Sequence, residues 1–173
     1  MKLLRDNLIK KTGDKGILLN FINNSIDDHS WTYADKLRLH QILINLIENG
    51  IKFSKRNDVI NIIIRDNDDF DVNLNQTEID GTKDITSSNI AEEKEDIRET
   101  AENQVYIGIS DTGKGISPRI MPKLFEKFVT DSDFGTGLGL YISKKLVEAH
   151  GGKIWAFNNN DGIGSTFVFS LPK

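Results

Sequence analysis

Asp35-Lys-Leu-Arg-Leu-His-Gln-Ile-Leu-Ile-Asn45-Leu-Ile-Glu-Asn49-Gly-Ile-Lys-Phe53 is the stretch on which the reading of the fold turns. Leu39, Ile42, Leu43, Leu46, Ile47 and Gly50 recur at the i, i+3, i+4 spacing of one buried helical face, which predicts a helix over 34–53. Asp35 falls in its first turn, where a negative charge suits the helix dipole. Beside the apolar face runs a polar edge, with Gln41, Asn45 and Asn49 at i, i+4, i+8 and Lys52 three residues further on. Amide carbonyls a turn apart can serve a hard cation, and Mg²⁺ takes oxygen ligands while keeping several waters. Lys52 is placed to meet a phosphate as a point charge. Taken alone, the same edge also reads as an ordinary solvated helix surface.

Working outward, residues 1–15 read as a short helix ending at Gly13, and 16–22 as a buried or half-buried strand. Val59–Arg65 is a strand after the turn Arg56-Asn-Asp. Gln104–Ser110 alternates as a strand, and a short helix is predicted around Arg119–Leu124. A second amphipathic helix covers Leu140–Ala149, with Ile142, Leu146 and Val147 as its face and Gly151 as its stop. Two closing strands, Lys153–Phe157 and Ser165–Leu171, form a hairpin. Helices mixed with hairpins describe an α/β (α+β) two-layer sandwich: a mixed, mostly antiparallel sheet of about five strands packed on three helices.

The length, 173 residues, suits one domain or one domain with an attachment, at about 100–200 residues each. There are no cysteines, which excludes a disulfide scaffold, a thiolate metal site and a cysteine nucleophile. No apolar run approaches the ~20 residues of a membrane span, and the first residues have no signal-peptide pattern. A cytoplasmic domain without membrane contact is the expectation. The net charge of −4 hides an asymmetry. Residues 66–103 carry 13 acidic against 3 basic residues, and the remainder carries 13 acidic against 19 basic ones. Low hydrophobicity with a local charge of −10 reads as a mostly disordered acidic insertion in a domain of +6. Its Asp66–Asp71 run lacks the glycine and the final glutamate of an EF-hand loop. The body is mildly basic without an aromatic-laced basic stripe, so nucleic acid is not the expected partner.

Three further motifs could carry chemistry. Asp111-Thr-Gly113-Lys-Gly115 follows a strand, where a carboxylate can accept from an exocyclic amine such as adenine's and glycines let a ligand approach the backbone. An Asp/Gly turn is the plain alternative. Gly135-Thr136-Gly137-Leu138-Gly139-Leu140 opens a helix, and backbone N–H groups at a helix N-terminus attract phosphate. It is neither the dinucleotide fingerprint nor a Walker A loop. Phe125-Glu-Lys-Phe128 serves either core packing or the hinge of a cover over the glycine loop.

In this order, Asn45-x-x-x-Asn49, Asp111-x-Gly113-x-Gly115, Phe125-x-x-Phe128 and Gly135-x-Gly137-x-Gly139 resemble the N, G1, F and G2 boxes of sensor histidine kinases, members of the superfamily of gyrase B, MutL and heat-shock chaperone ATPases with the Bergerat fold. The lead-in from Asp35 and the C-terminal His150-Gly-Gly-Lys-Ile-Trp and Gly162–Pro172 agree. The resemblance covers about residues 16–173 apart from the insertion. It implies that Asn49 and Asn45 hold Mg²⁺ against ATP phosphates with Lys52 nearby. Asp111 binds adenine; Gly113, Gly115 and Ile116 shape the pocket; Thr166 supports adenine through water. Gly135, Thr136, Gly137, Leu138, Gly139 and Leu140 wrap the triphosphate beside Phe125 and Phe128, with 129–134 as the lid. It also implies γ-phosphate transfer to a histidine on a dimerisation domain, with a response regulator as next acceptor.

The sequence departs from the family pattern in three ways. The phosphoacceptor histidine motif is not matched by His29, His40 or His150, so a catalytic half, a truncated piece or a stand-alone ATP-binding module is expected, with residues 1–15 as the stub of a connecting helix. The lid is short, and Thr130 stands where a basic residue is often found, leaving Lys127 or Lys114 as substitutes. Asn45 stands where hydrolytic relatives carry a water-activating glutamate, which favours transfer over hydrolysis. Two rivals are a non-catalytic nucleotide-binding regulator and an anti-sigma-factor-type serine kinase.

Overall fold

The computed structural model describes residues 2–25, 32–66, 103–131, 135–160 and 162–173, giving only the backbone for 2–7 and 9. Most of the acidic insertion, and residues 132–134 of the lid, therefore lie outside the described residues. Three α-helices, α1 (Lys2–Lys15), α2 (Lys36–Phe53) and α3 (Gly139–Ala149), and five strands are present among the described residues. The strands are β1 (Leu18–Asn23), β2 (Val59–Arg65), β3 (Gln104–Asp111), β4 (Ile154–Asn158) and β5 (Ser165–Pro172). They form one sheet in the order β1-β2-β3-β5-β4. The β1–β2 pair is parallel and the other three pairs are antiparallel, as the fold reading predicts.

Period-two alternation puts Val105, Ile107 and Ile109 of β3 and Phe167, Phe169 and Leu171 of β5 on one sheet face. Ile42, Leu46, Ile47 and Ile51 of α2 and Val147 of α3 pack against that face. Burying an aliphatic or phenylalanine side chain of this kind contributes about 1.5–3 kcal/mol, so this interlayer core is the main source of stability. Leu8 of α1 joins the same core, so the first helix is packed onto the domain.

Local reading and structure differ at four places. Asp35 is the N-cap of α2 rather than a first-turn residue: its carboxylate accepts from the Leu37 and Arg38 N–H groups at 2.8 and 3.1 Å. Helix α1 runs past Gly13 to Lys15, because the left-handed turn that stops it is at Gly16. Strand β1 is not buried. It is the sheet edge, and Phe21 remains 65% exposed. The helix predicted around 119–124 is a single 3₁₀ turn, Met121–Lys123, shortened by Pro122. No helix among the described residues is long and apolar enough to cross a membrane.

Candidate functional site

A cavity of about 510 Å³ opens between α2, the ends of β3 and β5, the glycine loop and the residues after Phe128. Its deep end is set by strand alternation. Asp111 continues the Val105, Ile107, Ile109 face of β3, so its carboxylate enters the space between sheet and helices. It is 3% exposed. One carboxylate oxygen accepts from Ser165 Oγ at 2.8 Å and the other from the Gly113 N–H at 2.9 Å. Burial pushes the Asp111 carboxyl above the ordinary range, while the bonds from Ser165 and Gly113 pull it down. A dry carboxylate with acceptor capacity to spare is suited to an amine or amide donor from a ligand.

The main chain around Asp111 is tightly framed. Asn159 Nδ2 donates to the Asp111 carbonyl at 3.0 Å and to that of Ile163 at 2.8 Å. Asn158 grips Ile116 in both directions, accepting from its N–H at 2.6 Å and donating to its carbonyl at 2.9 Å. At Gly164, with φ +82°, an added Cβ would lie 1.9 Å from the Asp111 carbonyl oxygen, so only glycine fits.

The outer end is built from α2 and the glycine loop. Asn49 and Lys52 line the cavity, with Gly135, Thr136, Gly137, Gly139 and Leu140. Lys52 Nζ sits 5.3 Å over the Phe53 ring, and Lys114 Nζ lies 5.0 Å from the same ring. Lys114 also bonds Asp131 at 2.9 Å, and that bond and charge lower the Asp131 carboxyl. Lys114 thus lines the cavity already paired, whereas Lys127 lies 5.0 Å over Tyr141 and does not line it. Thr130 lines it too.

The F-box phenylalanines divide between the two readings left open for them. Phe125 packs against the core, whereas Phe128 is 72% exposed and takes φ +64°, a left-handed conformation that costs a non-glycine residue about 1–2 kcal/mol. Its N–H donates to the Gly137 carbonyl at 3.0 Å, which joins residues on either side of 129–136. Gly137 allows this closure: with φ +65°, an added Cβ would meet the Phe128 carbonyl carbon at 2.5 Å.

The structure brings together Asn45, Asn49, Lys52, Asp111, Gly115, Ile116, Gly135, Thr136, Gly137, Gly139 and Leu140 around one cavity. Gly113 reaches it through its bond to Asp111, while Phe125, Phe128 and Leu138 do not line it. Asn45 is engaged differently from Asn49. Its amide nitrogen donates to the Gly139 carbonyl and to Ser143 Oγ, each at 3.2 Å, and so pins the start of α3 to α2. Thr166 is the correction. It pairs with Ser110 in the β3–β5 register, so its hydroxyl bonds Ser110 Oγ at 2.9 Å and Asn159 Oδ1 at 2.7 Å, away from the cavity. Ser165, one residue earlier, faces Asp111. Counting back in twos from Leu171, Phe169 and Phe167 would have found it.

Comparisons with known proteins bear on the family and the fold. A family described as histidine kinase-, DNA gyrase B- and HSP90-like ATPase matches residues 85–173. Sensor protein FixL of Bradyrhizobium diazoefficiens is 29% identical over 80% of the chain. Sensor protein SrrB of Staphylococcus aureus is 33% identical over 90% of it. The chain spans only 21% of the length of each relative. The catalytic domain of histidine kinase ThkA, in a nucleotide-free form, matches with TM-score 0.68 and 25% identity, covering 99% of this chain and 93% of that one. ThkA in complex with response regulator protein TrrA also matches, with TM-score 0.63 and 24% identity, over 100% of this chain and 40% of that one. Half of the sequence fits the family model, and the whole fold superposes on a kinase catalytic domain. The chain belongs to the histidine kinase-, DNA gyrase B- and HSP90-like ATPase family.

Proposed function

We propose that the chain is the ATP-binding catalytic part of a sensor histidine kinase, which binds Mg·ATP and passes the γ-phosphoryl group to a histidine on a dimerisation domain. The carrying observation is the buried Asp111 carboxylate at one end of a cavity whose other end holds Asn49, Lys52 and the glycine loop. An adenine amino group would donate to Asp111, and the loop N–H groups and Lys52 would face the phosphates. Among the described residues no three His, Asp or Glu side chains gather as a metal site. A divalent cation would therefore rest on phosphate oxygens, water and the Asn49 amide oxygen, a donor set that fits Mg²⁺ carried in with the nucleotide. Bound there, the cation would neutralise phosphate charge. Asn45, whose amide nitrogen already holds α3, would shape the site beside it.

The protein's share of the reaction is positioning and charge stabilisation. The phosphorylated histidine would then serve a response regulator, in line with the complex formed by ThkA. The test is phosphorylation of an added histidine-bearing dimerisation domain with labelled ATP. Transfer by the native chain, lost in Asn49→Ala, supports the reading. Full transfer by Asn49→Ala sinks it. Tight ATP binding without transfer to any histidine domain would select the non-catalytic regulator instead.

A further inference from the structure

Helix α1 ends in a turn that captures its own last carbonyls. Gly16 takes φ +66°, its N–H reaches the Gly13 carbonyl at 3.0 Å, and the Ile17 N–H reaches that of Thr12 at 2.8 Å. This leaves Lys15 as the final helical residue, and its side chain crosses to the end of α2. Lys15 Nζ donates to the Ile51 carbonyl at 2.7 Å and lies 3.3 and 3.4 Å from those of Ser54 and Lys52. These acceptors belong to the close of α2, where carbonyls lack partners within the helix and the dipole is negative. One turn earlier on α1, Lys11 pairs with Glu48, the neighbour of Asn49. Helix α1 thus grips the end of α2 and its cap, residues 48–54, at two points, and both lysines line the cavity.

We infer that Lys15 is a positioning residue for the outer, phosphate-facing end of the cavity. By satisfying the last carbonyls of α2 it fixes the turn from which Asn49 and Lys52 project, so phosphate-bearing ligands depend on it and the nucleoside does not. This rests on the nucleotide reading above. Three donors and a full charge suit an ammonium to three converging carbonyls. Without it the last turn is free to fray, and displacement by one residue rotates a side chain by about 100°. Lys52 Nζ lies beside the glycine loop, 2.8 Å from where a Cβ on Gly135 would stand, so a shift of the α2 end would move it relative to that loop. The Asp111 carboxylate takes its hydrogen bonds from Gly113 and Ser165, neither of which belongs to α2, although Gly113 packs close to the Phe53 carbonyl.

The test is calorimetric titration of the chain with Mg·ATP and, separately, with adenosine. Lys15→Met is expected to weaken ATP binding about tenfold while adenosine stays within about twofold. Lys15→Arg should keep most of the ATP affinity, and Lys11→Met should lose less than Lys15→Met. Equal losses for ATP and adenosine, or a lowered melting temperature with ATP affinity retained, would overturn the inference. If Lys15→Met does not fold, Lys15→Gln with a native circular-dichroism spectrum decides it: unchanged ATP affinity overturns the proposal and a selective ATP loss supports it. A native chain that binds neither ligand overturns the nucleotide reading itself, and is told apart because no substitution is needed to see it.

Discussion

At the Asp111 end the cavity is walled by main chain and short side chains, packed so closely that a methyl on Gly164 would overlap the Asp111 carbonyl. At the Lys52 end the walls are long cationic side chains, a glycine loop and residues 129–131 after Phe128. The first end is buried and bonded around one desolvated carboxylate. The second is open, and its groups hold one another provisionally, as Lys114 holds Asp131. In the nucleotide reading proposed above, the contrast follows from the guest each end would take. A planar base is discriminated by a fixed acceptor that loses much if left unpaired. A polyphosphate carries its own charge and water, and needs cations able to adjust around it.

Substitutions can break this contrast. The largest effect is expected from Asn49→Ala. It should cut transfer to a dimerisation domain by at least ~10²–10³-fold, the range for removing one fixed electrostatic contact at a transition state. Adenosine binding and thermal unfolding should hardly change. Gly164→Ala attacks the other end through the backbone. Left-handed strain and overlap with Asp111 should together cost about 3 kcal/mol, read by chemical denaturation. Little change there would mean that the Asp111 frame is looser than its distances imply.

Asp111→Asn sharpens the comparison through pH. It should weaken ATP binding by about 10–100-fold, since bonds to a charged acceptor contribute about 1.5–3 kcal/mol. In the native chain a ligand amine needs the ionised carboxylate, whose pKa is raised by burial. Affinity should therefore fall as pH drops through that raised value, and Asp111→Asn should lack this dependence. For stability the sign is opposite. A raised folded pKa contributes stability below the unfolded carboxylate value, and the contribution is lost as pH rises through the folded one. A flat native binding profile from pH 4 to 8 would contradict the burial argument.

A smaller effect belongs to Asp35, remote from both ends. Asp35→Ala removes the α2 cap and should lower the stability read in unfolding experiments by less than any of the changes above. Bonds from the Arg38 and Leu37 N–H groups lower the Asp35 carboxyl. Its contribution is therefore present above the unfolded pKa and lost as pH falls through the lowered one. The smallest effect is expected from deleting 68–101. Arg65 and Tyr106 are already cross-strand partners, so a short hairpin loop can join β2 to β3. ATP affinity should stay nearly unchanged, and a collapse would assign the insertion to the site.

Residue order alone carried α2, the Asn45, Asn49 and Lys52 edge, Asp111 and both glycine loops, because helical period and box spacing are local properties of the chain. It missed what depends on partners distant in sequence. Strand β1 is exposed because it closes the sheet, and the apolar run of Leu18–Asn23 does not say so. Ser165 rather than Thr166 meets Asp111 because the β3–β5 register decides which hydroxyl faces the cavity, and a one-residue shift reverses every side chain. Asn45 holds α3 because Ser143 is buried directly opposite, 98 residues away. The acidic insertion's charge was likewise plain from composition. Sequence determined which chemistry the chain could offer. Tertiary structure decided which atoms meet, because pairing and burial are set by long-range packing and not by neighbours in the chain.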